Sequence, residues 1–284
     1  MSPEQIIVLA IVQGITEFLP ISSSGHLILI PAFTGWPDQG LATDVMVHVG
    51  SLVAVLAYFW RDCLALLRGV FNLLQGKMTD QGRLAIYILL ATVPALVFGI
   101  ILKFSGFLDL LRADGKITQL GVTIVAWNAI IFGVILYLAD RYGKRIKRME
   151  DMQLSPAMMI GIAQAFALIP GTSRSGITMS AARMLGFERT EAARFSFLLG
   201  IPAITASGLL TTVEFVEAGQ GVPSDALWAA FLTFFSALAA IAFLMAVVKR
   251  TSFLVFVIYR LALGLVLFAL LYNWIPGFDL TLTA

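Results

Sequence analysis

Two short strings of polar residues interrupt an otherwise apolar chain. The first comprises Gln13, Glu17, Ser22, Ser23, Ser24, Gly25 and His26, and the second Gly171, Thr172, Ser173, Arg174, Ser175, Gly176 and Thr178. Gln13 and Glu17 are four residues apart and so share one face of a helix. Hydroxyl residues flanked by glycine and leading into a helix start expose backbone N–H groups and a positive dipole end, a setting that suits a phosphate or carboxylate. Arg174 adds a planar fork able to grip phosphate oxygens bidentately. A carboxylate, an imidazole and a run of hydroxyls together offer a nucleophile, a proton carrier and charge stabilisation. Neither a Ser-His-Asp order nor a Walker-type glycine loop is present.

Each group also has a plainer reading. Ser, Thr and Gly in membrane helices commonly serve close packing. Glu17 and Arg174 together would also make a structural ion pair closing the two strings on each other. His48, inside an apolar run, reads as a hydrogen-bonded packing residue. Arg260, beside Tyr259, either snorkels to an interface or makes a second phosphate contact.

The elements that must position these residues follow from composition. Of 284 residues, 59% are hydrophobic and 13% charged, about half the roughly 25% of a soluble domain, which excludes a soluble monomer. The formal charge of +2 leaves no basic excess to attract nucleic acid. A single cysteine, Cys63, excludes an intramolecular disulfide and a multi-cysteine metal site. The first charge is Glu4 and no basic leader is evident, so the hydrophobic segments are expected to belong to the mature chain. A span needs roughly 20 apolar residues. Leu84–Leu102, Ile117–Ala139, Phe195–Val213 and Ala226–Val248 contain no Asp, Glu, Lys or Arg. Leu41–Trp60, with Asp44 near its start, and Thr251–Ile275, interrupted by Arg260, complete six spans. Leu64–Leu74 is expected to be an interfacial amphipathic helix.

Two further apolar stretches are too short to span. Gln5–Thr16 ends at Glu17 and Pro20, and Pro156–Ile169 ends at Pro170 and Gly171. Each covers about 20 Å, less than the bilayer core. A Ser-rich turn and a second short helical stretch, Leu27–Ala32 or Thr178–Leu185, follow each break, which predicts two re-entrant hairpins. A shift of 151 residues superposes Gln13 on Gln164, Ser22 on Ser173, Ser24 on Ser175, Gly25 on Gly176 and Gly35 on Gly186. The expected fold is therefore an all-α integral membrane domain over 1–284 with an inverted-topology repeat, 1–150 and 151–284. Each half carries one re-entrant helical hairpin and three transmembrane helices. Alternating loops put 14 basic residues on one side and 3 on the other, with Arg174 and Arg260 inside the membrane. The first side is then cytoplasmic, both termini lie outside, and the hairpin tips meet near the midplane.

The string from Gln13 through Glu17 and Ser22-Ser-Ser-Gly to His26, with Pro170-Gly-Thr-Ser-Arg-Ser-Gly-Ile-Thr178, resembles the two signature motifs of the undecaprenyl-diphosphate phosphatases, the bacitracin-resistance family. The likeness extends to Phe195-Ser-Phe-Leu-Leu and Ile258-Tyr-Arg260 and runs along nearly the whole chain. The family's first pattern is Glu or Gln followed four residues later by Glu, here Gln13 and Glu17. The Gln argues against a mechanism needing two carboxylates there. The resemblance implies hydrolysis of undecaprenyl diphosphate to the monophosphate and inorganic phosphate, recycling the lipid carrier of bacterial cell-wall synthesis and conferring bacitracin resistance. It also implies a site in the bacterial cytoplasmic membrane that opens to the outer face and depends on a divalent cation, Mg²⁺ or Ca²⁺, for which Glu17 is the candidate ligand.

In the mechanism so implied, Arg174 holds the diphosphate with Ser173, Ser175 and local backbone N–H groups. Ser23 or a water attacks phosphorus, His26 handles the proton, and Glu17 either orients His26 or binds the metal. Gln13, Ser22, Ser24, Gly171, Thr172, Gly176, Thr178 and Arg260 complete the expected substrate-binding set. The expected partners are the polyprenyl diphosphate and the surrounding membrane lipids, and a homodimer stays open. The rival reading is a lipid transporter or flippase, because broken helices in inverted repeats also occur in transporters.

Overall fold

The computed structural model describes residues 1–113, 116–217, 223–275 and 282. Its twelve α-helices among those residues are α1 (Pro3–Phe18), α2 (Ser23–Thr34), α3 (Gly40–Tyr58), α4 (Trp60–Leu74), α5 (Asp80–Ser105), α6 (Phe107–Leu111), α7 (Gln119–Tyr142), α8 (Leu154–Ala165), α9 (Arg174–Met184), α10 (Arg189–Glu217), α11 (Ser224–Arg250) and α12 (Leu254–Leu271). Extended pairing includes a two-residue ladder, Arg112–Ala113 with Lys116–Ile117, and a bridge between Lys147 and Phe187. Ile117, expected to open a span, lies in that ladder, and α7 starts two residues later, capped by Thr118 Oγ1.

Among the described residues five helices, α5, α7, α10, α11 and α12, are long and apolar enough to cross a membrane; α3 makes six when the bent α3–α4 pair counts as one span. The bend there is 85°. The exposed face of α5 carries Leu89, Val93, Leu96, Val97, Ile100 and Phe104, the reverse of a soluble surface, as a multi-pass membrane protein requires. In α4 the exposed apolar residues Leu64, Leu67, Phe71 and Leu74 recur at helical spacing on one face. This helix starts four residues earlier than the sequence suggests.

α11 runs through the centre of one half of the bundle. As far as Ala240 its buried face is made of Ala226, Ala229, Ala230, Thr233, Ala237 and Ala240, small side chains that let α1 and α3 approach closely in the absence of a strong hydrophobic drive between helices. The two short helical pairs, α1–α2 and α8–α9, each close at their bases. Gln5 Nε2 donates to the Pro37 carbonyl at 2.9 Å, and the amides of Ile146 and Lys147 donate to the Gly186 carbonyl at 3.1 and 3.0 Å. The first base lies beside the start of α11, where the Met1 ammonium meets Asp225 at 2.6 Å. The second lies beyond its end: Asp140 accepts from the Phe253 amide at 3.1 Å and from Arg183, fully buried at the end of α9, at 3.3 Å. At 1.5 Å per residue α11 is about 40 Å long, so the pairs approach from opposite ends and touch at their tips.

Candidate active site

The two tips are built alike. Ser22 and Ser173 sit in the left-handed region at φ 79° and 74°, and each is the N-cap of the following helix, accepting from Gly25 N at 3.4 Å and Gly176 N at 3.1 Å. In each, the hydroxyl two residues on lies close, Ser22 to Ser24 at 3.4 Å and Ser173 to Ser175 at 3.2 Å. A positive φ at a non-glycine residue costs about 1–3 kcal/mol and persists only where the surroundings fix it. Here they do. Ser175 Oγ donates to the Leu19 carbonyl at 2.9 Å across the junction, and Asn128 Nδ2 holds the Pro170 carbonyl at 2.8 Å. Gly171, at φ 87°, has room for no side chain, because a Cβ would lie 2.8 Å from Val125 Cα.

Arg260 has neither of its expected roles. It is 0% exposed, and its guanidinium donates to four carbonyls: Ala129 at 3.2 Å, Asn128 at 2.8 Å, Pro20 at 3.3 Å and Gly171 at 2.9 Å. It therefore does not snorkel, and the nitrogens expected to meet phosphate instead bind both tips to α7. Ser173, Ser175 and Thr178 are likewise buried, and their hydroxyls work inside the tip in place of the expected phosphate contacts. Thr178 Oγ1 bonds the Arg174 carbonyl at 2.7 Å and Ser196 Oγ at 2.7 Å. Thr172 is 0% exposed, with Oγ1 unpartnered among the described residues. Gly176 is buried against Pro20.

Ser23, Ser24, His26 and Arg174 remain partly or wholly accessible. Ser23 and Arg174 both contact Glu17, which is 6% exposed. Its Oε1 pairs with Arg174 Nη2 at 3.0 Å, so the ion pair between the tips is present. Its Oε2 accepts from Ser23 Oγ at 2.6 Å and from Gln13 Nε2 at 3.2 Å. The expectation that Glu17 orients His26 is corrected here. His26 Nδ1 donates to the Ser22 carbonyl at 2.6 Å, and Nε2 lies 2.6 Å from Tyr259 Oη. A carbonyl can only accept, so in the neutral ring Nδ1 carries the proton and Nε2 is the free base, receiving the Tyr259 hydroxyl.

Arg174 is held by a donation from Nη1 to the Ser196 carbonyl at 3.0 Å. Its guanidinium occupies the space a side chain at residue 200 would fill, since a Cβ on Gly200 would lie 2.2 Å from Nη1. Its Nε has no partner among the described residues.

Sequence reasoning missed Ser196, Gly200, Asn128 and Tyr259 as parts of this site. Asn128 carried a signal as an amide in mid-span, and Ser196 and Tyr259 fall inside strings noted for other reasons. His48, read as packing, has its Nδ1 on the Asp44 carbonyl at 2.6 Å, but its Nε2 lies 3.6 Å from Glu17 Oε2. It lines an open cavity of about 200 Å³ with Asp44 and Ile204, between α3 and α10.

A family model described as "Bacitracin resistance protein BacA" matches residues 6–266. The chain belongs to that family. It is 50% identical to the undecaprenyl-diphosphatase of Erythrobacter litoralis over 93% of this chain and 98% of the relative. It is 45% identical to that of Roseobacter denitrificans, over 94% and 98%, and 46% identical to that of Ruegeria pomeroyi, over 96% and 100%. The polar strings at both tips lie inside the matched range.

The expected divalent cation has few protein ligands at the tips. Among the described residues no three His, Cys, Asp or Glu side chains converge, so these residues offer no complete cage. Gln13 Oε1 is buried without a partner beside the Glu17 carboxylate. One carboxylate and one amide oxygen suit a hard cation that takes its other ligands from phosphate oxygens and water.

Proposed function

We propose that the chain hydrolyses undecaprenyl diphosphate to undecaprenyl phosphate and inorganic phosphate, at the junction of the two tips. The observation that carries this reading is the chain Ser23 Oγ, Glu17, Arg174: a hydroxyl donating to a carboxylate at 2.6 Å, itself paired with an arginine at 3.0 Å. A hydroxyl beside a base and a phosphate-binding cation is what phosphoryl transfer to a nucleophile needs.

Ser23 Oγ attacks the terminal phosphorus as its proton passes to Glu17. The bond to the bridging oxygen breaks, and polyprenyl monophosphate leaves with the electron pair. Arg174 stabilises the charge on the transferring group. Water, activated by the His26 Nε2 and Tyr259 pair, then cleaves the phosphoserine and releases inorganic phosphate. A divalent cation, when bound, would be held by Glu17 and Gln13 and would neutralise diphosphate charge. The polyprenyl tail remains in the bilayer, since withdrawing it costs about 0.8 kcal/mol per CH₂. The cavity beside His48 offers the phosphate end a lateral approach.

The family relatives' names and the shared tip geometry support this reading over transport. Purified protein in detergent, given a polyprenyl diphosphate, should release phosphate with no membrane barrier present. A pure transporter would release none.

The two α-helical pairs act as re-entrant hairpins of an inverted repeat, 1–150 and 151–284, in the bacterial cytoplasmic membrane, with the site opening to the outer face. Base contacts at opposite ends of α11 and the count of 14 basic residues against 3 support this layout. In a Cys63→Ser background, a cysteine at Lys144 should be shielded from an impermeant thiol reagent in intact cells, while one at Ser2 reacts. The opposite pattern overturns both faces.

A further inference from the structure

Away from the tips, four arginines gather around one carboxylate at the end of α7. Asp140 accepts from Arg189 Nε and Nη2 at 2.6 and 2.9 Å, from Arg183 Nε at 3.3 Å and from the Phe253 amide at 3.1 Å. Its capacity is filled by residues that are themselves mostly buried. Arg141 and Arg145 are exposed at the same place, and among the described residues neither has a carboxylate or other acceptor. The arginines therefore outnumber the carboxylate by three.

The surplus is local. Around the neighbouring cavity of about 660 Å³ near α4 and α5, Arg194 pairs with Asp62, Arg148 with Glu188 at 3.5 Å and Arg83 with Asp80 at 3.7 Å. Each of those arginines has a carboxylate partner, and with Glu150 and Glu191 also in the lining that cavity carries no cationic surplus.

Arg141 and Arg145 rim a recess of about 210 Å³ walled by Tyr137, Ser252, Leu254 and Val257. Ser252 Oγ accepts from the Leu254 amide at 3.3 Å and keeps its own proton to donate. Immediately outside, α7 and α12 expose Val134, Leu138, Val255 and Ile258. An unmatched cationic rim joined to an apolar strip selects an anion that carries hydrocarbon. The volume is below the roughly 300–1,000 Å³ that encloses a drug-sized ligand, so it takes a headgroup and leaves the chains outside.

We propose that this recess binds the phosphate headgroup of an anionic membrane phospholipid. Arg141 and Arg145 grip the phosphate oxygens, Ser252 donates to them, and the acyl chains lie along α7 and α12.

The test titrates full-length protein in detergent with phosphatidylglycerol and, separately, phosphatidylcholine, counting bound lipid by native mass spectrometry. Wild type should prefer phosphatidylglycerol by about tenfold or more. The double variant Arg141→Gln/Arg145→Gln should bind it about 30-fold more weakly, the worth of two basic side chains near an anionic lipid. Arg141→Lys/Arg145→Lys, which keeps both charges, should retain most of the preference. Arg141→Gln alone should weaken binding about fivefold, and serves where the double variant does not purify. Equal retention of the two lipids by wild type, or undiminished phosphatidylglycerol binding by the glutamine variants, overturns the proposal. Inorganic phosphate in hundredfold excess should leave the lipid bound; displacement would assign the recess to the free anion and sink the lipid reading.

Discussion

The two tips share a backbone and divide the chemistry. Ser22 and Ser173 have the same strained φ, the same capping bond and the same neighbouring hydroxyl. At the positions between, the 151-residue offset sets Ser23 against Arg174, His26 against Ile177 and Glu17 against Leu168. The first tip supplies hydroxyl, carboxylate and imidazole, and the second supplies the cation. Duplicated geometry thus brings two loops into register, and divergence of single side chains lets one site form across them. A pair of identical tips would have placed like charges face to face.

That division is broken most directly at Ser23. Ser23→Ala should lower turnover on the order of 10³-fold or more, because the oxygen that forms the covalent bond is gone. Ser22→Ala and Ser24→Ala should be far milder. Phosphoserine trapped in quenched wild-type reactions and absent from Ser23→Ala would complete the case; substantial turnover in Ser23→Ala would make water the nucleophile.

On the other tip, Arg174→Lys keeps the charge and loses the fork, so activity should fall about 10²- to 10³-fold while the protein still inserts and folds. Arg260→Lys should reverse that balance. Its main effect should be lost thermal stability, several of the four carbonyls on the tips and α7 being left without a donor at about 1–3 kcal/mol each. Comparing kcat with the unfolding midpoint for both variants separates the two arginines, and equal effects on both would erase the distinction.

The junction itself is tested by glycine. Gly171→Ala meets both a left-handed φ and Val125 Cα at 2.8 Å, and should cost about 2–4 kcal/mol. Gly35 has a comparable φ of 69° but nothing within 4 Å, so Gly35→Ala should cost about 1 kcal/mol. Chemical denaturation in detergent reads the difference.

The smallest effect sharpens the likeness of the tips. Ser22→Ala and Ser173→Ala each remove one N-cap acceptor and should each cost about 1 kcal/mol of stability. A cost confined to one of them would show that the two caps are not equivalent.

The sequence by itself determined the apolar helices, because a run of some twenty uncharged residues has few other fates than a membrane helix. It also marked Gln13, Glu17, His26 and Arg174 as candidate site residues, since such groups are too costly in lipid to be there without a partner. Only the tertiary structure decided what each of them touches. Glu17 binds Ser23 and Arg174 while His26 turns to Tyr259, 233 residues away in sequence. Arg260 is drawn to four carbonyls that no local pattern announces, and Gly200 matters only because a guanidinium from another helix fills its space. Hydropathy is additive along the chain and survives without a fold. A hydrogen bond depends on distance and direction between groups remote in sequence, and those are fixed only when the helices pack.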